Sequence, residues 1–142
     1  MTKAWTQFDY SSKCNLDKVI RPGSITEQTY TCNGELARVW DANHPRASNP
    51  ATRKFDYDAL NRLTQVTQPD EPSGDVTGYA YDVQDHLIQV TDAEKNVTAY
   101  TWGDRDLLTQ EASPVSGIKA YVYNEHGELV EETDARGIVV TR

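Results

Sequence analysis

Sulfur and long apolar runs are scarce in this chain, which holds one methionine, two cysteines and uncharged apolar stretches of only a handful of residues. A membrane-spanning helix needs about 20 consecutive apolar residues, so no stretch is long enough to cross a bilayer. The first residues, MTKAWTQFDY, lack the apolar core of a secretory signal. The chain is therefore expected to be cytosolic, exported by a route that reads no such signal, or part of a longer protein. Cys14 and Cys32 match no metal-ligand spacing, and both are expected to be unpaired thiols. Basic charge is thin as well. Residues 1–71 carry nine Lys/Arg against nine Asp/Glu, whereas residues 72–142 carry five against thirteen, so the whole net charge of −8 lies in the second half. That balance argues against nucleic acid as a partner of this half and for a solvated acidic surface.

What the chain does have is a repeat. A leucine follows an aromatic by six residues in Tyr10/Leu16, Tyr30/Leu36, Tyr57/Leu63, Tyr81/Leu87, Trp102/Leu108 and Tyr123/Leu129. The aromatics are separated by 20, 27, 24, 21 and 21 residues, the range in which self-similarity marks stacked supersecondary units. Eight tyrosines, three tryptophans and many Thr and Val favour strand over disorder, although only 37% of residues are apolar.

Each position of the repeat has a backbone task. After the aromatic come Ser11, Thr31, Asp58, Asp82, Gly103 and Asn124, side chains that fold back on the backbone or, for glycine, accept any turn geometry. Four residues after the aromatic stand Cys14, Gly34, Asn61, Asp85, Asp106 and Gly127, all but Cys14 tolerant of positive φ. This is hairpin-turn chemistry. Runs such as LARVW, LTQVT and LIQVT then read as second strands, ended five residues after each leucine by turn signals at Arg21-Pro22-Gly23, Asp41-Ala42-Asn43, Gln68-Pro69-Asp70, Asp92-Ala93-Glu94, Ser113-Pro114 and Asp134-Ala135-Arg136-Gly137. The chain returns along segments in which aromatics recur at a two-residue interval, as in Phe55/Tyr57, Tyr79/Tyr81, Tyr100/Trp102 and Tyr121/Tyr123, so each pair shares one face of a strand. Insertions such as HPRASNP and PDEPSGD fall only after the leucine strand, on one edge of the array. Leu63 and Val66, three apart, share a face only if a bulge intervenes, and the sequence leaves the interior side of the sheet open. The expectation is an all-β chain of about twelve strands with almost no helix, residues 1–142 forming one array of about six repeats in an open, twisted antiparallel strip.

No set of residues marks a catalytic site, which needs a nucleophile, a base and an orienting group. His44, His86 and His126 fit surface positions, and Asp58, Asp82, Asp92 and Asp134 are turn formers before they are acids. No calcium loop of the D-x-[DN]-x-[DN]-G type is present, so neither metal nor cofactor is indicated. Asn96-Val97-Thr98 fits the glycosylation acceptor, a pattern frequent by chance. The aromatic ladder could stack sugars, and exposure decides: a solvent-open strip of Tyr79, Tyr100, Trp102 and Tyr121 beside acids favours a carbohydrate- or cell-surface-binding module, a packed ladder a wall.

These registers resemble the tyrosine-aspartate repeats of the Rhs/YD-repeat family, whose usual form is close to Y-D-x-x-G-R-L-x-x-V-x-D-x-x-G-x-x-T-x-Y. The nearest copies run from Tyr57-Asp58 through Asn61-Arg62-Leu63 to Thr67 and from Tyr81-Asp82 through Leu87 to Asp92, with good copies at Trp102-Gly103 and Tyr123-Asn124. The first two diverge, with Ser11 and Thr31 at the Asp position and Cys14 at the turn glycine. The resemblance covers about residues 8–142. It implies a strip of hairpins that in full-length relatives spirals into a hollow shell around a toxic C-terminal segment. The repeat residues Tyr10, Leu16, Tyr30, Gly34, Leu36, Tyr57, Asp58, Leu63, Tyr79, Tyr81, Asp82, Leu87, Tyr100, Trp102, Leu108, Tyr121, Tyr123, Gly127 and Leu129 would then be structural. The D-P-x-G-L-type region that closes many such repeat cores is missing, and six repeats are too few to enclose a cavity. The chain is thus expected to be a non-enzymatic portion of a shell wall, an excised fragment or a truncated reading frame of a larger secreted or cell-surface protein. Its partners would be the remaining repeats and the toxin cargo. Edge-to-edge self-association is expected around Trp5 to Tyr10 and at GIVVTR.

Overall fold

The computed structural model describes residues 5–11, 16–22, 24–41, 51–68 and 74–142. Cys14, His44 and the inserted segments after the second and third leucine strands lie outside these residues. Strand accounts for 61% of the described residues, and no helix is found among them. There are thirteen strands: β1 (Gln7–Tyr10), β2 (Leu16–Arg21), β3 (Ser24–Tyr30), β4 (Leu36–Trp40), β5 (Arg53–Tyr57), β6 (Leu63–Gln68), β7 (Asp75–Tyr81), β8 (Leu87–Thr91), β9 (Val97–Trp102), β10 (Leu108–Ser113), β11 (Gly117–Tyr123), β12 (Leu129–Thr133) and β13 (Val139–Thr141). Each of the six aromatics closes a strand and each of the six leucines opens the next. The thirteenth strand is the return segment after the last leucine strand.

The residues group into two compact units, Met1–Val76 and Thr77–Arg142. Within each unit the pairing is antiparallel and follows chain order, β1 to β6 in the first and β7 to β13 in the second. Each unit is therefore an open sheet of consecutive hairpins.

The three-residue spacing of Leu63 and Val66 has its explanation in a β-bulge present in all six hairpins. In the third, Phe55 pairs with Val66 and Asp56 with Gln65, but Tyr57 pairs with Leu63, so Thr64 is the extra residue. The bulge shifts the alternation by one position and brings Leu63 and Val66 onto the face of Phe55 and Tyr57. The same shift precedes Tyr10, Tyr30, Tyr81, Trp102 and Tyr123. The extra residue has a use where it is threonine: Thr64 Oγ1 donates to Asp56 O at 3.1 Å, and Thr109 Oγ1 donates to Thr101 O at 3.0 Å. Each satisfies a carbonyl next to the disturbed ladder.

The bulge makes the two faces unlike. Along β9, Thr98, Tyr100 and Trp102 are half-buried while Val97, Ala99 and Thr101 are exposed, and on β11 Tyr121 and Tyr123 are half-buried while Ile118 and Val122 are exposed. On these two strands the aromatic face is the covered one. That cover is partial, since Trp40 and Ala51 are the only buried hydrophobic residues among those described. Stability of such a strip comes from cross-strand pairs and local turns, not from a central core.

Candidate functional site

The turn after each aromatic repeats one geometry. In the third hairpin Asp58 N donates to Arg62 O (3.0 Å) and Asn61 N donates to Asp58 O (3.1 Å), with Asn61 at φ 62°. The Asp58 carboxylate accepts from the amides of Leu60 and Arg62 through Oδ1 and from Arg62 Nε through Oδ2. The Arg62 amide, together with its guanidinium and the Leu60 amide, holds the Asp58 carboxyl below the ordinary carboxylate range. Asp82 and Asn124 close their turns in the same way, and Gly103 closes one with backbone bonds alone. Thr31 accepts from Glu35 N at 3.1 Å, and its hydroxyl contacts the Glu35 carboxylate. All five described residues four places after the aromatic adopt positive φ: Gly34, Asn61, Asp85, Asp106 and Gly127. Two turns on the opposite edge, led by Asp92 and Asp134, use the same arrangement.

A second feature joins one repeat to the next. Tyr57 Oη donates to Leu36 O, Trp102 Nε1 to Leu87 O and Tyr123 Oη to Leu108 O, each at 2.9 Å. In every case the aromatic that ends one repeat's first strand reaches the leucine carbonyl of the repeat before it. Burial pushes the Tyr57 hydroxyl pKa up, with the Glu35 charge adding to it, as expected for a phenol held as a donor. The six-residue interval thus names both ends of an inter-repeat latch, an aromatic donor and a leucine acceptor. Tyr30 differs, its hydroxyl bonding Gln28 of its own strand at 2.8 Å, and Tyr10 is 63% exposed.

Lateral ties between successive turns add to the latches. Asn33 Nδ2 donates to Asn61 Oδ1 at 2.9 Å, and Arg105 donates to the carbonyls of Asn124 (2.8 Å) and Glu125 (2.7 Å). His86 makes the most elaborate tie. Its ring stacks on Trp102 with centroids 4.8 Å apart, Nδ1 lies 2.9 Å from Asp82 Oδ2, and Nε2 lies 3.1 Å from Asp106 Oδ1. The repeat pattern missed His86 because its position varies from copy to copy; the only cue was an Asp four residues earlier.

Tyr79, Tyr100, Trp102 and Tyr121 form no solvent-open strip; all four are half-buried. Their cross-strand partners change along the chain, from Val90 opposite Tyr79 to Glu111 opposite Tyr100 and Glu132 opposite Tyr121. Burial, then Glu111 and Glu132, push the Tyr121 pKa up. In the first unit a groove of about 500 Å³ runs between the second and third hairpins, past Tyr30, Arg38, Lys54 and Tyr57. Its acids Glu35, Asp56 and Asp58 offset its two cations, and Lys54 is already paired with Asp56 at 2.9 Å. Among the described residues no three His, Cys, Asp or Glu side chains come together as a metal site. Cys32 is exposed and unpaired, and Asn96 Nδ2 is engaged by Asp92 Oδ2 at 2.8 Å.

Bulged hairpins tied side by side through aromatic latches define a tandem β-hairpin repeat protein. The profile of the RHS Repeat family matches residues 70–97 and 81–118, so the repeats in that stretch are similar to those of the family. No curated protein matches the sequence significantly. In fold the chain is similar to the crystal structure of TcdB2-TccC3, with a TM-score of 0.77 at 13% identity over 92% of this chain and 7% of that one. It is also similar to the Photorhabdus luminescens Tc holotoxin pore, with a TM-score of 0.75 at 14% identity over 91% of this chain and 7% of that one. The chain thus spans a small fraction of the length of the structures it matches.

Proposed function

We propose that this chain is a non-enzymatic structural segment of a β-shell wall, part of a larger Rhs-type toxin in which the wall encloses a toxic C-terminal cargo. The observation that carries the reading is the latch, an aromatic donor seated on the preceding repeat's leucine carbonyl. A wall needs each hairpin to define the position of the next, and the latch does so with side chains the repeat itself supplies. The proposal treats residues 1–142 as one array whose partners are further repeats and the cargo, exported as part of the larger protein. No helix among the described residues is long and apolar enough to cross a membrane.

The test is limited proteolysis of the larger protein with Trp102→Ala and Tyr123→Ala introduced together. Loss of protection of the C-terminal cargo is expected, and a cargo equally resistant in the variant would overturn the reading. For the chain by itself, association through the outer strands β1 and β13 is expected, because an open sheet edge offers unpaired backbone groups. A strict monomer at high concentration in sedimentation would count against it.

Carbohydrate binding by the ladder is the second reading, favoured by Glu111 and Glu132 beside Tyr100 and Tyr121. It is weakened because Trp102 and Tyr123 already spend their polar atoms on backbone carbonyls. A glycan array compared with Tyr100→Ala and Tyr121→Ala tests it, and binding at background removes it.

A further inference from the structure

We propose that His86 is a proton-controlled tie between the fourth and fifth hairpins, holding the turn after β7 to the turn after β9 when it is an imidazolium and releasing the Asp106 arm when it is neutral. The geometry requires the charged form. Both ring nitrogens lie within 3.1 Å of a carboxylate oxygen, Nδ1 against Asp82 and Nε2 against Asp106. Ionised carboxylates only accept, and a neutral imidazole has a single N–H, so both contacts are hydrogen bonds only in the cation. The ring position is set from a third side by Trp102, whose indole is itself fixed by its bond to Leu87 O. A cation over an indole face is favourable, so protonation strengthens the stack as well.

Among the described residues the charged groups set against the ring are Asp82 from its own turn and Asp106 from the next. Trp102 of β9 adds no charge, and Arg105 is turned to the carbonyls of Asn124 and Glu125. The two arms are unequal. Asp82 is also bound by the amides of Gln84 and His86, and it stays in place whichever form the ring takes. The Asp106 side chain is 78% exposed and stands farther from the ring, so it is the arm that lets go. The hydrogen bond His86 donates to Asp82, aided by the Asp82 and Asp106 charges, raises the His86 pKa above its ordinary 6.5. A group whose folded pKa is raised contributes stability fully below the unfolded value and loses it as pH rises through the folded value. The seam therefore tightens in acid and loosens above the ordinary histidine range. The inference concerns a seam within the array and stands whether or not the wall encloses a cargo.

Hydrogen exchange of the amides in 103–107, corrected for intrinsic rates, tests the tie in the full chain at pH about 5.5 and about 8.5. Opening at the higher pH is expected to be roughly threefold more frequent, the scale of one exposed ion pair. The difference should vanish in His86→Gln, shrink in Asp106→Asn and persist in the control His126→Gln. Equal protection at both pH values, or a difference that survives His86→Gln, would overturn the proposal. Nitrogen chemical shifts of His86 give an independent check, since the acid form must be protonated at both ring atoms.

Discussion

Two successive seams of the second unit solve one problem with different chemistry. Where the fourth hairpin meets the fifth, Trp102 latches onto Leu87 O, and the lateral tie is His86 between two acids. Where the fifth meets the sixth, Tyr123 latches onto Leu108 O, and the tie is Arg105 on two backbone carbonyls. The latch is common to both because its donor and acceptor are repeat positions. The tie is free to vary because it starts from His86 or Arg105, turn positions whose residue type changes from copy to copy. One seam consequently responds to pH, and its neighbour is tied to backbone carbonyls, which hold no ionisable group.

Removing a whole latch gives the largest effect. Trp102→Ala deletes the donor, the cross-strand contact with Leu108 and the surface on which His86 stacks. A large aromatic cut to alanine in a core costs 3–5 kcal/mol, and for this half-buried site about 2–3 kcal/mol is expected. Tyr123→Ala should cost less, since among the described residues no ring stacks on Tyr123. Thermal or urea unfolding of both variants checks the order, and equal losses would mean that the His86 stack adds nothing.

Backbone geometry comes next. Gly127 sits at φ +81° in the turn after Tyr123, with Leu107 Cδ1 the nearest atom to an added Cβ at 3.9 Å. Space is available there, so Gly127→Ala measures strain alone, about 1–2 kcal/mol. Asp106 holds the corresponding place at φ 57°, where Asp106→Gly relieves that strain and removes the carboxylate facing His86. The two substitutions should shift urea midpoints by clearly different amounts; a matching loss at both would show that the His86 tie outweighs turn strain.

The hairpins and their turns were legible in the sequence because each depends on residues within about ten positions of one another. Positive φ at Gly34, Asn61, Asp85, Asp106 and Gly127 followed from residue type, whereas the spacing of Leu63 and Val66 left open whether a bulge puts them on one face, and the pairing of Tyr57 with Leu63 answers it. The latch was half legible. Its aromatic and leucine stood in register, but the pairing runs between repeats, 21 residues apart for Tyr57 and Leu36 and 15 for Trp102 and Leu87. The ties were not legible at all. Arg105 binds carbonyls, which carry no residue signature, and His86 draws one acid from its own turn and the other from the next repeat.

Replacing the latch donor without emptying its site isolates the hydrogen bond. Tyr123→Phe keeps the ring and leaves Leu108 O without its phenol donor, so a loss of about 1 kcal/mol is expected. Trp102→Phe removes the indole N–H together with part of the ring, and its loss should be larger. A Tyr123→Phe variant as stable as the parent would make the contact a matter of packing alone.

The smallest effect separates the two ties. Arg105 lies on an exposed turn, and Arg105→Ala is expected to cost about 0.5 kcal/mol, with the same loss at pH about 5.5 and about 8.5. His86→Gln should instead cost stability in acid and little above the histidine range, the sign expected of a raised pKa. The acid limb of both profiles belongs to the turns. Hydrogen bonds from the Arg62 amide to Asp58, from the Asn96 side chain to Asp92 and from the Ile138 amide to Asp134 lower those carboxyl pKa values, so their contribution is present above the unfolded carboxylate range and lost as pH falls through the folded values. Urea midpoints of the parent and the two variants across pH distinguish the terms: a pH-dependent Arg105→Ala loss would show that the two seams are coupled and that the His86 tie reaches beyond its own pair of hairpins.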